Sequence, residues 1–182
     1  LWAEVRMDQE QAREAEALAV LPDTEFTTSL PLFPYQKVGA AFLWKIGSGL
    51  IGAEMGLGKT VESLALCEKV GAEKVLIFAP AAVKWQWASE IEKFIPGASV
   101  VVVEGTVDKR RELWTSEARF YVANYELLLR DFNAMNSREW DVIIADEATK
   151  ISNSQAKQSK TIKKLRAKRR IAMTGTPVSN RA

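Results

Sequence analysis

The chain has 182 residues, a length that favours a single domain. Its content of 47% hydrophobic and 26% charged residues is that of an ordinary folded protein and excludes an intrinsically disordered chain. No apolar run reaches the roughly 20 residues of a membrane helix, and the N-terminus lacks the basic-then-apolar order of a signal peptide. We therefore expect an intracellular protein without a membrane partner, cytoplasmic in a prokaryote or virus and nuclear in a eukaryote.

Cysteine content and charge distribution narrow the function classes further. The single cysteine, Cys67, lies in an apolar stretch, so we expect it in the core and exclude a disulfide framework or zinc site. The formal net charge of +2 is too small to indicate nucleic-acid binding by itself. However, residues 157–170 contain many basic residues and no Asp or Glu. This basic stretch is either a solvated helix face or part of a surface for a polyanion, and composition leaves both interpretations open.

The N-terminal part predicts an appended helix followed by the start of a domain. Residues 2–20 are rich in helix formers and are followed by Pro22, which predicts a peripheral helical extension over residues 1–30. After a proline-bounded turn, residues 35–46 predict a second amphipathic helix, and we assign residues 31–182 to one domain. The chain starts at Leu1 and stops soon after a Thr-Gly-Thr-Pro segment, so we expect a piece of a longer protein.

From residue 50 onward, apolar strand patterns alternate with helical patterns. The predicted strands cover residues 50–53, 74–79, 99–103, 120–123, 141–145 and 170–174. The predicted helices cover residues 59–70, 83–94, 108–116, 125–132 and 154–167. This alternation is typical of βαβ units and predicts an α/β domain with a mainly parallel sheet, helices on both faces and a ligand site at the carboxyl ends of the strands.

A phosphate-binding loop is predicted between the first strand and the next helix. The segment reads AEMGLGKT and matches the P-loop pattern except that Ala53 replaces the first glycine. Backbone amides of such a loop surround phosphate oxygens, and the helix that follows adds its positive end. Lys59 would contact the β- and γ-phosphates of ATP, and the Thr60 hydroxyl would bind Mg²⁺. The remaining loop residues predicted to contact the nucleotide are Glu54, Met55, Gly56, Leu57 and Gly58.

Two adjacent carboxylates end the predicted strand over residues 141–145. Asp146 is predicted to hold Mg²⁺ directly or through water, because a P-loop site needs a carboxylate at the end of a neighbouring strand. Glu147 is predicted to orient and deprotonate the attacking water. Lys59, Asp146 and Glu147 are thus the predicted catalytic residues.

Together these motifs resemble helicase superfamily two and, within it, the Swi/Snf-type DNA translocases. AEMGLGKT resembles the first family motif, DEATKISN at residues 146–153 the second, and MTGTPVSN at residues 173–180 the third. The resemblance implies a RecA-like fold for this domain and a second RecA-like lobe in the same parent protein. Two positions depart from the family pattern: Ala53 stands where aspartate is usual, and Thr149 stands where histidine is usual.

The resemblance also implies further site residues. The FPYQ segment is similar to the adenine-recognition motif, in which Gln36, beside Tyr35, would pair with the adenine edge. Two further segments resemble motifs that grip a DNA strand, and the residues so assigned are Pro80, Lys84, Asn124 and Tyr125. Lys150, within the DEATKISN segment, is implied to take part in the same grip. We expect the nearby Trp85 and Trp87 in the core. The residues implied to couple nucleotide to DNA are Thr149, Thr174, Gly175 and Thr176.

The resemblance therefore implies an ATP-dependent translocase on double-stranded DNA, with ATP and Mg²⁺ as cofactors. A strand-separating helicase of the same superfamily is one alternative. A nucleotide-responsive DNA-binding scaffold with weak or no hydrolysis is another, made plausible by Thr149 and the absence of second-lobe motifs. A GTPase is disfavoured, since the chain has no Asn-Lys-x-Asp guanine signature.

Overall fold

A computed structural model describes residues 25–26, 28–52, 58–151 and 157–175. The described strands are β1 (Gly49–Gly52), β2 (Val75–Phe78), β3 (Val100–Val102), β4 (Phe120–Ala123), β5 (Trp140–Ala145) and β6 (Ala167–Thr174). The described helices are α1 (Pro34–Ile46), α2 (Lys59–Lys69), α3 (Lys84–Phe94), α4 (Val107–Thr115), α5 (Leu127–Arg130), α6 (Phe132–Asn136) and α7 (Lys157–Ile162). Short 3₁₀ turns cover Ala81–Val83 and Ala148–Ile151. Within the described residues, no helix has the length and apolar character needed to cross a membrane.

The six strands form one parallel sheet in the order β1-β6-β5-β2-β4-β3. The last strand is inserted between the first and the fifth, with Gly52 opposite Thr174 and Ala145 opposite Ala172. The predicted position of this strand, between the phosphate-loop strand and the strand that ends at Asp146, is confirmed. So is the RecA-like α/β class predicted from the sequence.

Helices cover both faces of the sheet because successive strand residues point to opposite sides. On one face Val75 and Ile77 pack in a cluster with residues of α1, α2 and α3, and Cys67 is buried in that cluster as predicted. On the other face Leu76 and Phe78 pack in a second cluster with residues of α4, α5 and α6. Because apolar residues of β2 are buried on both faces of the sheet, β2 is a central strand. Any polar groups can lie only at the ends of this strand.

Two predicted helices differ from the observed ones. The helix predicted over residues 125–132 is two short helices, interrupted at Asp131, whose carboxylate accepts hydrogen bonds from Arg110 and Trp114. The helix predicted over residues 154–167 ends at Ile162, because the chain turns and enters β6 at Ala167, where it pairs with Trp140 of β5. Part of the basic stretch is therefore a strand rather than a helix face.

Several basic side chains of the strand portion already have partners within the domain. Lys168 forms an ion pair with Asp141 at 2.7 Å, and the Arg169 guanidinium donates to the carbonyl of Trp44. The predicted helix over residues 2–20 lies outside the described residues. Of the extension assigned to residues 1–30, the described part is not helical, and Ser29 contacts the end of α3 through its hydrogen bond to the Phe94 carbonyl.

Candidate functional site

A cleft of about 600 Å³ lies at the carboxyl ends of β2, β5 and β6. Its lining combines the start of α2, one side of α3 and the residues that follow β5. The polar lining residues are Lys59, Thr60, Gln86, Glu90, Asp146, Glu147 and Thr149. A cationic side chain, a hydroxyl and two adjacent carboxylates thus face one cavity, as predicted for a phosphate and metal site.

The start of α2 forms one wall of the cleft. Gly58 precedes the helix with a φ of 85°, a left-handed conformation that glycine adopts without a steric penalty. A Cβ at this position would also lie 2.1 Å from Nε2 of Gln36, so a larger residue would have to displace that amide. Lys59 is buried and Thr60 lies on the first helical turn. The other predicted loop residues, at positions 53–57, lie outside the described residues.

Gln36 lies against this loop and has an additional structural role. Its Oε1 accepts a hydrogen bond from the backbone N–H of Phe33 at 2.9 Å, which caps the first turn of α1. Pro34 occupies the first helical position, where a missing N–H has no cost. The ring of Tyr35 is exposed and stacks on Phe33 with centroids 5.8 Å apart. Of the predicted adenine-binding residues, Gln36 therefore lies beside Gly58, whereas the ring of Tyr35 contacts Phe33.

Two hydrogen bonds hold the carboxylate of Asp146. Its Oδ2 accepts a hydrogen bond from the indole N–H of Trp87 at 2.9 Å, and its Oδ1 accepts one from the backbone N–H of Glu147 at 2.9 Å. Burial raises the pKa of Asp146 above its ordinary value, and the hydrogen bond from Trp87 opposes that rise. A neighbouring cation would also lower the pKa of Asp146 and so favour its charged carboxylate, which is the form that binds a metal ion.

The residue after Asp146 has an unusual backbone. Glu147 has a φ of 50°, the only positive value at a non-glycine residue in the described part of the chain. The carbonyl of Asp146, in the peptide that precedes it, accepts a hydrogen bond of 2.6 Å from the hydroxyl of Tyr125. The resemblance places Tyr125 among the DNA-binding residues, yet Tyr125 is only 4% exposed.

The other predicted DNA-binding residues have varied surroundings. Lys84 begins α3 and is 6% exposed, with its ammonium 3.1 Å from both the Val103 carbonyl and Glu104 Oε2. A contact between Lys84 and a DNA phosphate would require this pair to open. Pro80 borders the cleft, and Asn124 follows β4 with a buried Oδ1 that has no hydrogen-bond partner within the described residues. Lys150 lies in the second 3₁₀ turn.

The described residues that are predicted to couple nucleotide to DNA differ in their position relative to the cleft. Thr149 borders it, and Thr174 is buried at the end of β6, beside Gly52 of β1. Gly175 follows Thr174 directly, whereas Thr176 lies outside the described residues. The coupling roles themselves stay predictions.

Sequence reasoning missed two features of the tryptophan-rich helix. Trp87 is in the core as expected, at 2% exposed, but its indole N–H donates to the carboxylate of Asp146, the predicted metal-binding residue. Trp85, expected in the core, is 62% exposed because it lies on the outward side of α3. The signal that could have found the Trp87 contact is chemical, since a buried indole N–H requires an acceptor and Asp146 lies at the end of a nearby strand.

A buried carboxyl group, Glu62, was also missed. It lies one turn along α2 and packs so close to Gly39 of α1 that a Cβ there would be 2.4 Å from Glu62 Oε2. Burial raises the pKa of Glu62 to about 7, against the opposing effect of the Lys59 charge. An ionisable group with a pKa near neutrality therefore lies between α1 and α2, one turn after Lys59.

Comparison with known proteins identifies relatives of this chain. The family model described as the SNF2-related domain matches residues 35–182. Helicase SWR1 of Cryptococcus neoformans is 34% identical over 163 residues, which are 82% of this chain and 13% of the relative. The chromodomain-helicase-DNA-binding protein 1-like of Danio rerio is 34% identical over 84% of this chain and 16% of the relative. The chain thus spans only a small part of these curated relatives.

A solved structure has the same fold. The SWI2/SNF2 ATPase core of Sulfolobus solfataricus, determined in complex with double-stranded DNA, superposes with a TM-score of 0.77 and 32% sequence identity. The match covers 87% of this chain and 35% of that chain.

The unusual pKa of Glu62 predicts a pH dependence of folding stability. Because the folded state binds this proton more tightly than the unfolded state, stability should fall as pH rises from about 4.5 to about 7. Glu62→Gln removes the ionisation, so the variant should be more stable than the parent at pH 8, by on the order of 3 kcal/mol, and similar to it below pH 4.5. Urea unfolding at pH 4 and pH 8 measures the difference.

Glu117→Gln, at an exposed glutamate, is the matched control and should leave the pH dependence unchanged. Equal slopes of stability against pH in the parent and in Glu62→Gln would contradict the prediction.

Proposed function

Because this chain belongs to the SNF2-related domain family, we propose that it is the nucleotide-binding lobe of an ATP-dependent motor that moves along double-stranded DNA. The observation that carries the proposal is the convergence of Lys59, Thr60, Asp146 and Glu147 on one cleft at the carboxyl ends of β2, β5 and β6. Parallel α/β sheets bind their ligands at this edge.

The residues present fit a nucleotide with Mg²⁺. A glycine at position 58 lets a phosphate approach the backbone closely, and the N-terminus of α2 favours negative charge. Lys59 would hold the β- and γ-phosphates, while Thr60 and Asp146 would hold the metal ion. When bound, the ion would neutralise charge on the phosphate oxygens.

Glu147 would orient the attacking water and accept its proton, because it lies next to the metal carboxylate and borders the same cavity. Gln36 would contact adenine through its amide Nε2, since its Oε1 already accepts a hydrogen bond from Phe33. Thr149 can donate or accept a hydrogen bond but does not titrate near neutral pH, so any coupling through it would be independent of pH.

Binding to DNA is proposed from the relatives. The archaeal ATPase core was determined with double-stranded DNA, and the zebrafish relative is named a DNA-binding helicase. We propose that Pro80, Lys84, Asn124 and Lys150 contribute to a strand-binding surface, and that a second RecA-like lobe in the parent protein closes the cleft. If the parent protein is eukaryotic, a nuclear location follows.

The first test is nucleotide binding. Lys59→Ala should weaken the affinity for ATP with Mg²⁺ roughly tenfold to a hundredfold, because it removes a charge-assisted hydrogen bond worth about 1.5 to 3 kcal/mol. Isothermal titration calorimetry measures the change, and Lys109→Ala, an exposed lysine on the opposite face, is the control. Equal affinity in folded Lys59→Ala and parent proteins would mean that the phosphate-loop assignment is wrong.

The second test concerns DNA. Affinity should fall steeply with salt and be similar for all duplex sequences, because a motor must release every phosphate it grips. Lys84→Met should weaken binding to all duplexes alike, whereas Glu104→Gln should strengthen it by removing the carboxylate that competes for Lys84. Fluorescence anisotropy at several salt concentrations measures both effects. If both variants have lower thermal stability but unchanged DNA affinity, Lys84 stabilises the fold and does not bind DNA.

The third test concerns hydrolysis. The chain alone should bind ATP yet hydrolyse it very slowly even with duplex DNA, because the arginine that stabilises the transferred phosphoryl group would come from the second lobe and is worth about 10³ to 10⁵ in rate. Phosphate release should be compared with that of a protein carrying both lobes, in which Glu147→Gln should abolish turnover. DNA-stimulated turnover by the chain alone, on the order of 1 per second or faster, would imply a complete active site in one lobe.

A further inference from the structure

Two side chains far from Asp146 in sequence hold this residue at two separate points. Trp87, on α3, donates its indole N–H to the carboxylate at 2.9 Å, and Tyr125, after β4, donates its hydroxyl to the main-chain carbonyl at 2.6 Å. Neither side chain has a place in the proposed reaction itself. Their contacts converge on the residue that would hold the metal ion.

Both donors are fixed by packing rather than by chance approach. Trp87 is buried in the core cluster beneath α3, and the ring of Tyr125 stacks on Phe78 of β2 with centroids 5.8 Å apart. A buried indole N–H or phenol needs an acceptor, which is usually any convenient carbonyl. Here both acceptors belong to Asp146.

The peptide group that joins Asp146 and Glu147 takes part in two hydrogen bonds. Its carbonyl accepts the hydrogen bond from Tyr125, and its N–H donates to Asp146 Oδ1 at 2.9 Å. The next residue, Glu147, has the left-handed φ of 50°, a conformation that is sterically unfavourable for a non-glycine residue. The surrounding hydrogen bonds therefore maintain a backbone that a free chain would seldom adopt.

We propose that Trp87 and Tyr125 are positioning residues for the carboxylate of Asp146: Trp87 fixes its orientation, Tyr125 fixes its main chain, and together they prepare it to bind Mg²⁺. The inference rests on the proposed ATP site. An indole is a donor only, so it orients one carboxylate oxygen and leaves further lone pairs for the metal ion or its water. Partners of this kind typically contribute tenfold to a hundredfold to metal affinity.

The chain offers a matched control for Trp87. Trp114 is also buried, and its indole also donates to an aspartate Oδ2 at 2.9 Å, but that aspartate is Asp131, on the opposite face of the sheet. In Trp87→Phe, the Mg²⁺ concentration for half-maximal ATP binding should rise about tenfold, while ATP affinity in EDTA stays unchanged. Trp114→Phe should change neither value. Titration with ATP and MgCl₂ measures both.

Tyr125→Phe provides a second and more conservative variant, which deletes one oxygen. Its control is Tyr121→Phe, because Tyr121 is buried in β4 and its hydroxyl donates to the Ser116 carbonyl, away from the cleft. Tyr125→Phe should raise the Mg²⁺ requirement as Trp87→Phe does, and Tyr121→Phe should not. If Trp87→Phe fails to fold, the tyrosine pair decides the question.

The outcomes are distinct. A rise in the Mg²⁺ concentration for half-maximal ATP binding that is confined to the Trp87 and Tyr125 variants, with unchanged ATP affinity in EDTA, supports the positioning of Asp146 by these residues. Equal shifts in the controls, or an equal loss of affinity in EDTA, would show a general structural effect and overturn the inference while leaving the proposed function intact. If the unsubstituted protein binds ATP no better with Mg²⁺ than without it, the proposed function is wrong, and the positioning role is wrong with it.

Discussion

The pairing of β6 with both β1 and β5 is the constraint on which the site depends. These pairings set Gly52 opposite Thr174 and Ala145 opposite Ala172, so the segments after β1 and β5 emerge at the same edge of the sheet. Lys59 and Asp146 are remote in sequence. They border one cleft because β6 pairs with both β1 and β5, the strands that precede them. Without β6, the predicted phosphate-binding segment and the acidic segment would not be held at fixed positions relative to each other.

Apolar packing holds in position the polar groups that contact the site. Trp87 is part of the core under α3, yet its one polar atom contacts Asp146. Tyr125 belongs to the cluster on the other face and contacts the same residue. The two cores therefore meet at Asp146, and the position of this carboxylate depends on the packing of both faces.

The sequence predicts most of the fold because alternating apolar patterns and glycine positions are local signals. The strand positions, the parallel arrangement and the grouping of Lys59 with Asp146 follow from such signals together with the family resemblance. The end of α7 and the break at Asp131 do not, since they depend on pairing with Trp140 and on hydrogen bonds from Arg110.

Side-chain direction is the other quantity that the sequence leaves open. A motif locates Lys84 and Tyr125 at strand and helix ends but does not reveal whether their polar atoms point outward. Lys84 turns inward to Glu104 and Tyr125 to Asp146, whereas Trp85 turns outward. For Glu62, the carboxyl group is buried against Gly39 of α1, a contact that the sequence does not predict.

The insertion of β6 has a consequence for the order of events during synthesis. The only neighbour of β1 in the described sheet is β6, which begins at Ala167, well over a hundred residues later. At roughly 5–20 residues per second, the ribosome needs on the order of ten seconds to produce that partner. During this interval β2, β4 and β5 can already pair, whereas β1 and the segment that leads into the phosphate loop cannot. The edge of the sheet that β1 forms is therefore the last part to pair on a growing chain.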